Sequence, residues 1–131
     1  MLHVAIIEDD PNMREMLRIH LSGIGLALEL FEDAAAGIRA ILTKRPDLVL
    51  LDLVLPDLGG LEVLNALKSD EATRTVPVIV ITSMTNDETF AEATRLGVDA
   101  FLTKPLQRDM LIRTVLGQIA RRVQTAPRKD A

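Results

Sequence analysis

Short apolar runs alternate strictly with longer segments of helical periodicity, and this alternation restricts the fold more than any other feature. The strand candidates are residues 2–7, 26–31, 47–51, 78–81 and 100–102. Helix candidates follow each of them, starting after Asp10, after Asp33, at Gly60, at a capping box that begins with Thr85, and after Pro105. Five strand–helix units in alternation predict a three-layer α/β sandwich with a parallel sheet and right-handed crossovers.

The composition of the strands predicts their places in the sheet. Residues 48–51 and 78–81 are apolar at every position, which is typical of central parallel strands covered by helices on both faces. The second run contains Glu29 and the fifth is short, so both are predicted at edges. In the last helix, we expect Leu111, Val115 and Ile119, with Ile112 and Leu116, to face inward.

The bulk composition indicates one folded domain. The chain has 131 residues, 48% hydrophobic and 26% charged, with a net charge of −4 and no cysteine. A disulfide scaffold and a thiolate metal site are thereby excluded, and a cytoplasmic location is expected. No apolar run is long enough for a membrane span, the start does not resemble a signal peptide, and the negative charge argues against direct nucleic-acid binding. We predict a domain over residues 1–123 and a basic, flexible tail or linker start over 124–131.

Polar groups follow four of the strands at the point where each strand ends. They are Glu8-Asp9, Asp52, Thr82 and Lys104. Ligand sites in open parallel sheets form at the carboxyl ends of strands, beside the point where the strand order reverses. If the strand order is 2-1-3-4-5, as in the flavodoxin-like fold, these groups meet on one rim.

The chemistry of these residues indicates a phosphoryl-acceptor site. Three neighbouring carboxylates repel one another and need a cation, and their hard oxygen ligands favour Mg²⁺. Lys104 adds a mobile positive charge and Thr82 a hydroxyl donor, both suited to phosphoryl oxygens. Each residue alone has an ordinary explanation, such as Asp10 capping a helix or Phe101 packing in the core. One polar group at each of four strand ends is harder to explain in that way.

These residues resemble the receiver domain of bacterial two-component response regulators. The resemblance runs from Leu2 to about Val123 and rests on Glu8-Asp9, the segment from Pro46 to Gly60, Ile81-Thr82-Ser83 and Lys104-Pro105. Thr82 lies thirty residues after Asp52 and Lys104 fifty-two after it, and both separations are similar to those of the family.

The resemblance implies a role for each residue. Asp52 would accept a phosphoryl group from a phosphohistidine, with Asp9, Asp52 and the Val54 carbonyl binding Mg²⁺ directly and Glu8 through water. Thr82 and Lys104 would hold phosphoryl oxygens. Phe101 would be the aromatic switch that turns inward as Thr82 moves. Glu8 stands where many relatives have Asp, and Phe101 where Tyr is commoner, but neither change removes a chemical role.

The resemblance also implies partners, and two other functions remain open. A sensor histidine kinase or phosphotransfer protein would supply the phosphoryl group, and a downstream protein or a second copy would dock on the face from about Asn86 to Val123. The chain is then a regulatory phosphoacceptor rather than an ordinary enzyme. A phosphatase of the haloacid-dehalogenase type also places Asp after a parallel strand, but has a second Asp where this chain has Val54. A degenerate receiver that only binds partners is the third reading.

Overall fold

A computed structural model describes the backbone of residues 1–83 and 86–125, with side chains up to Arg122. Ten elements alternate along the chain. They are β1 (Leu2–Ile7), α1 (Pro11–Ser22), β2 (Leu26–Phe31), α2 (Ala34–Lys44), β3 (Leu48–Asp52), α3 (Gly60–Ser69), β4 (Val78–Thr82), α4 (Asp87–Arg95), β5 (Ala100–Thr103) and α5 (Arg108–Thr125).

The five strands form one parallel sheet in the order β2-β1-β3-β4-β5. The predicted fold class and strand order are therefore confirmed, including the edge positions of β2 and β5. The strand order reverses beside β1, so the carboxyl ends of β1 and β3 lie next to each other at the switch point.

Alternate residues of the central strands supply two separate cores. On one face, Val4, Ile6 and Leu50 pack against α1 and α5, and on the other face Ile7 and Leu51 pack against α2 and α3. All five side chains are essentially inaccessible to solvent. Fully burying an aliphatic side chain of this size contributes about 1.5–3 kcal/mol, so both cores stabilise the sheet whose strand ends carry the polar groups.

The structure shifts several predicted boundaries and contacts. β3 starts at Leu48 and continues through Asp52, while α4 is capped by Asn86, whose side-chain oxygen accepts from Thr89 N at 2.8 Å. The predicted cap, Thr85, lies outside the described residues. Leu116 is 45% exposed, so the prediction that it faces inward is wrong: the inward stripe of α5 is filled by Leu111, Val115 and Ile119.

The C-terminal helix extends past the predicted end of the domain. α5 continues to Thr125, so the predicted tail of 124–131 begins inside a helix. Gln124 is a good helix former, whereas Thr125, at which the helix ends, is a weaker one. Residues 126–131 lie outside the described part of the chain. None of the helices in that part is both long and apolar enough to cross a membrane.

Candidate functional site

The end of β1 supplies two carboxylates with different environments. Glu8 is 2% exposed, whereas Asp9, the next residue, is exposed. The backbone of Glu8 extends the sheet pairing, because its N–H donates to Phe31 O at 3.0 Å. Asp10 caps α1 by accepting from Asn12 N at 3.0 Å, which confirms its expected structural role. The strand therefore delivers Glu8 and Asp9 to the rim, and the helix starts directly behind them.

Asp52 lies at the last position of β3 and is 5% exposed. Its Oδ1 accepts from Val54 N at 3.0 Å, so the main chain two residues on lies directly beside the carboxylate. Val54 itself points its side chain outward and is 53% exposed. This places the Val54 backbone at the site, as the resemblance requires, while its carbonyl as a metal ligand remains a prediction.

A close backbone approach behind Asp52 requires glycine. Gly60, the first residue of α3, donates its N–H to Leu53 O at 2.9 Å. A Cβ at Gly60 would lie 2.3 Å from Leu53 Cα and 2.5 Å from Asp52 O, both far inside van der Waals contact. The start of α3 is thereby packed directly against the peptide that follows β3.

Lys104 reaches the two buried carboxylates from the end of β5. Its Nζ lies 2.9 Å from Asp52 Oδ2 and 3.0 Å from Glu8 Oε1. Its own N–H donates to Thr82 O at 3.0 Å, and the peptide bond to Pro105 is cis. The lysine is thus an internal counter-ion shared by two carboxylates that lie 96 and 52 positions before it in the sequence.

The charges of these groups are strongly coupled. Burial raises the pKa of Glu8 from 4.5 to about 8, and the neighbouring Asp52 carboxylate adds to this effect. Burial disfavours the charged form of Lys104, but its hydrogen bonds to Asp52 and Glu8 outweigh this and raise the pKa of Lys104 above its ordinary value. The neutral form of Glu8 is therefore favoured, and a cation beside these carboxylates would oppose that effect.

The three predicted metal-binding side chains lie together. One carboxylate oxygen each from Glu8, Asp9 and Asp52 can be chosen so that all three lie within 4.8 Å of one another. Within residues 1–83 and 86–122, no other trio of acidic, histidine or cysteine side chains has this arrangement. An all-oxygen set with an exposed member fits Mg²⁺, which binds through one or two carboxylates and keeps several waters.

Thr82 and Phe101 occupy the neighbouring strands. Thr82 ends β4 and is 1% exposed, and its register partner on β5 is Thr103. Phe101 is half-buried on β5 and packs edge-to-face on Phe90 of α4, with ring centroids 4.6 Å apart. Thr82 therefore lies at the rim end of β4, and Phe101 lies on the sheet face that α4 covers. Their roles in switching remain predictions.

The sequence did not identify Arg14 as part of the site. Its Nη1 donates to the carbonyl oxygens of Glu8 at 2.8 Å and Asp9 at 2.9 Å, and its Nη2 lies 3.9 Å from Glu32. The guanidinium thus holds the backbone of the acidic pair from the first turns of α1. Arg14 lies six residues after Glu8, near the start of the helix that Asp10 caps. This short separation is the only sequence signal that could have suggested the contact.

Comparison with known proteins agrees with this geometry. The model of the response regulator receiver domain family matches residues 4–116. The DNA-binding response regulator MtrA of Mycolicibacterium smegmatis is 32% identical over 118 residues, which cover 90% of this chain and 50% of that protein. This chain therefore spans about half the length of the curated relatives it matches.

Solved receiver domains have the same fold. The signal receiver domain of a modulated diguanylate cyclase from Desulfovibrio desulfuricans has a TM-score of 0.83 and 31% identity, covering 95% of this chain and 98% of that one. A receiver domain protein (CheY-like) from Methanospirillum hungatei has a TM-score of 0.90 at 22% identity, with coverage of 95% and 98%. At 22% identity, the similarity to the Methanospirillum hungatei protein supports the fold alone. From the family match and the identity to its relatives, this chain belongs to the family of response regulator receiver domains.

Proposed function

We propose that this chain is a phosphoacceptor switch that takes a phosphoryl group from a phosphohistidine onto Asp52 in the presence of Mg²⁺. The observation that carries the proposal is the meeting of Glu8, Asp9 and Asp52 within 4.8 Å, with Lys104 Nζ 2.9 Å from the Asp52 carboxylate. The donor would be a sensor histidine kinase or a phosphotransfer protein. A cytoplasmic location is part of the same proposal.

The proposed reaction transfers one phosphoryl group between protein side chains. A carboxylate oxygen of Asp52 forms a bond to phosphorus while the phosphorus–nitrogen bond of the phosphohistidine breaks, and the imidazole leaves with the electron pair and takes up a proton. Lys104 can move its shared hydrogen bonds to a phosphoryl oxygen, and Thr82 would hold another. Catalysis of such transfers depends on positioning and on neutralising charge, which these residues supply.

Asp9, Asp52 and the Val54 carbonyl would hold Mg²⁺ directly, with Glu8 acting through water. The ion would neutralise the negative charge that gathers when a phosphoryl group approaches three carboxylates. The exposed position of Asp9 leaves a route for the ion and the donor, whereas the burial of Asp52 limits solvent screening of its interaction with the ion.

The output would be a change in the packing of Thr82 and Phe101. Phosphorylation adds a local charge that can shift the population between two packings of β4, β5 and α4. Phe101 lines an open depression of about 340 Å³ together with Leu106 and Met110, and Met110 is 50% exposed. We propose that a downstream protein or a second copy of the chain docks on the face formed by α4, β5 and α5, and that this domain does not itself bind nucleic acid.

An assay with a small phosphodonor tests the proposal. The protein is incubated with acetyl phosphate and Mg²⁺ and then measured by intact mass. We expect one added phosphoryl group on the wild type and none on Asp52→Asn, which keeps the size of the side chain. An unmodified wild-type protein would refute the phosphoacceptor role and favour the degenerate, binding-only receiver.

The same assay separates the remaining alternative. A phosphatase of the haloacid-dehalogenase type would release many equivalents of inorganic phosphate instead of accumulating a modified protein. The family match favours the receiver, and the position two residues after Asp52 is an outward-facing valine rather than the acid such enzymes use. Release of inorganic phosphate over many turnovers, lost in Asp52→Asn, would reverse this choice.

A further inference from the structure

The first turn of α2 is held by carboxylates from two different parts of the chain. Asp33, the local N-cap, accepts from Ala36 N at 2.9 Å. Asp57 reaches the same turn from the loop between β3 and α3, where Oδ1 accepts from Ala34 N at 2.9 Å and Oδ2 from Ala35 N at 3.0 Å. The first turn of a helix leaves four N–H groups without an intrahelical partner, and Asp57 accepts from two that Asp33 does not reach. Unlike the local cap, this second carboxylate also ties a distant loop to the turn.

The loop that carries Asp57 is the loop that follows the acceptor. It comprises residues 53–59 and includes Val54, whose N–H donates to Asp52 Oδ1 at 3.0 Å. The far end of the loop is held by the bond from Gly60 N to Leu53 O at 2.9 Å. Between these two attachments, the Asp57 carboxylate ties the middle of the loop to α2.

The chemistry of the tether suits a firm attachment. Two hydrogen bonds to an ionised carboxylate fix both its distance and its orientation, and the N-terminus of a helix favours negative charge. The two donated N–H groups hold the ionised form, so the pKa of Asp57 lies below its ordinary value. The contact spans 22 and 23 residues, so it joins two segments that the local sequence leaves independent.

We propose that Asp57 is a positioning residue of the phosphoacceptor site: by tying the loop to α2, it holds the Val54 main chain beside Asp52. The part of this inference that concerns Mg²⁺ binding rests on the proposed function. Asp57 touches neither the carboxylate cluster nor Lys104 and acts through the loop. Loss of the tether frees the Val54 backbone, which weakens both its bond to Asp52 and its contribution to the cation site.

Asp33 offers a matched control for the test. Asp57→Ala and Asp33→Ala each remove a carboxylate from the same helix turn, but only Asp57 lies on the acceptor loop. In metal-free protein, we expect hydrogen exchange at the Val54 amide to accelerate in Asp57→Ala and to stay unchanged in Asp33→Ala. With Mg²⁺, we expect the Kd, measured by calorimetric titration, to rise about tenfold in Asp57→Ala only, the low end of effects from residues that orient metal ligands.

The readouts distinguish the possible failures. Wild-type protein that binds no Mg²⁺ and accepts no phosphoryl group refutes the proposed function, while exchange at Val54 still decides whether Asp57 orders the loop. Wild-type protein that binds Mg²⁺ no more tightly than Asp57→Ala refutes the positioning role. Equal effects of the two alanine variants would mean that only the stability of α2 matters. If Asp57→Ala does not fold, Asp57→Asn keeps one acceptor oxygen, and we then expect a smaller change of the same sign.

Discussion

Replacing Glu8 with glutamine should make the metal-free protein more stable above neutral pH. Glutamine keeps the size of the side chain and an oxygen that can accept from Lys104 Nζ, now 3.0 Å from Glu8 Oε1. It removes the charge that burial and the Asp52 carboxylate oppose. The variant thereby isolates the cost of ionising a glutamate that is 2% exposed.

The sign and size of the effect follow from the pKa of Glu8, raised from 4.5 to about 8. The folded state binds this proton more tightly than the unfolded state, so stability falls as the pH rises from about 4.5 through about 8. A tenfold change in proton affinity corresponds to about 1.4 kcal/mol. Glu8 alone should therefore lower the free energy of unfolding by at most about 4 kcal/mol between about pH 5 and about pH 9.

Urea denaturation at several pH values measures this directly. The chain has no tryptophan or tyrosine, so far-ultraviolet circular dichroism in the presence of a chelator is the suitable signal. The difference in unfolding free energy between Glu8→Gln and wild type should grow with pH, while the exposed control Glu62→Gln should follow the wild type. Adding Mg²⁺ should flatten the wild-type slope, because the cation stabilises the ionised carboxylates. Parallel pH profiles for wild type and Glu8→Gln would refute the assignment of the buried proton to this site.

Two further substitutions, each with a control, test the backbone beside the site and at the end of α2. Gly60→Ala should lower the free energy of unfolding by at least about 2 kcal/mol, because its Cβ would lie 2.3 Å from Leu53 Cα. Gly59→Ala, where Glu62 Oε1 at 3.9 Å is the nearest atom, should cost at most about 1 kcal/mol, because alanine is a poorer N-cap than glycine but meets no clash. Equal urea midpoints for the two variants would contradict the proposed clash. Arg45→Gly should raise the thermal midpoint, with a gain of about 0.5–1 kcal/mol, because Arg45 ends α2 at φ 50°. Arg45→Ala should bring no such gain, and a stabilisation by alanine equal to that by glycine would show that the backbone conformation is not the cause.

The sequence was sufficient to predict the fold and to predict which polar residues meet at the carboxyl edge of the sheet. Apolar periodicity is local, so alternation of strands and helices could be read without contacts, and polar residues at strand ends could be assigned to one edge once the strands were taken as parallel. Glu8, Asp9, Asp52 and Lys104 were brought together in this way, as the coordinates confirm. Helix ends and faces were predicted less well. The hydroxyl of Thr85 suggested a cap, but Asn86 caps α4, and the apolar Leu116 was assigned to the inward face but is exposed. One residue type does not by itself define a helix end or a helix face.

The tertiary structure decided what depends on pairs of groups far apart in the chain. Burial beside Asp52 determines the proton affinity of Glu8, and neither residue type nor spacing carries that information. The same holds for Arg14 on the carbonyls of the acidic pair and for Asp57 on α2, since both contacts arise only when separate elements pack. Periodicity along one segment specifies which face is buried, whereas hydrogen-bond geometry and desolvation are set by the neighbours that packing supplies.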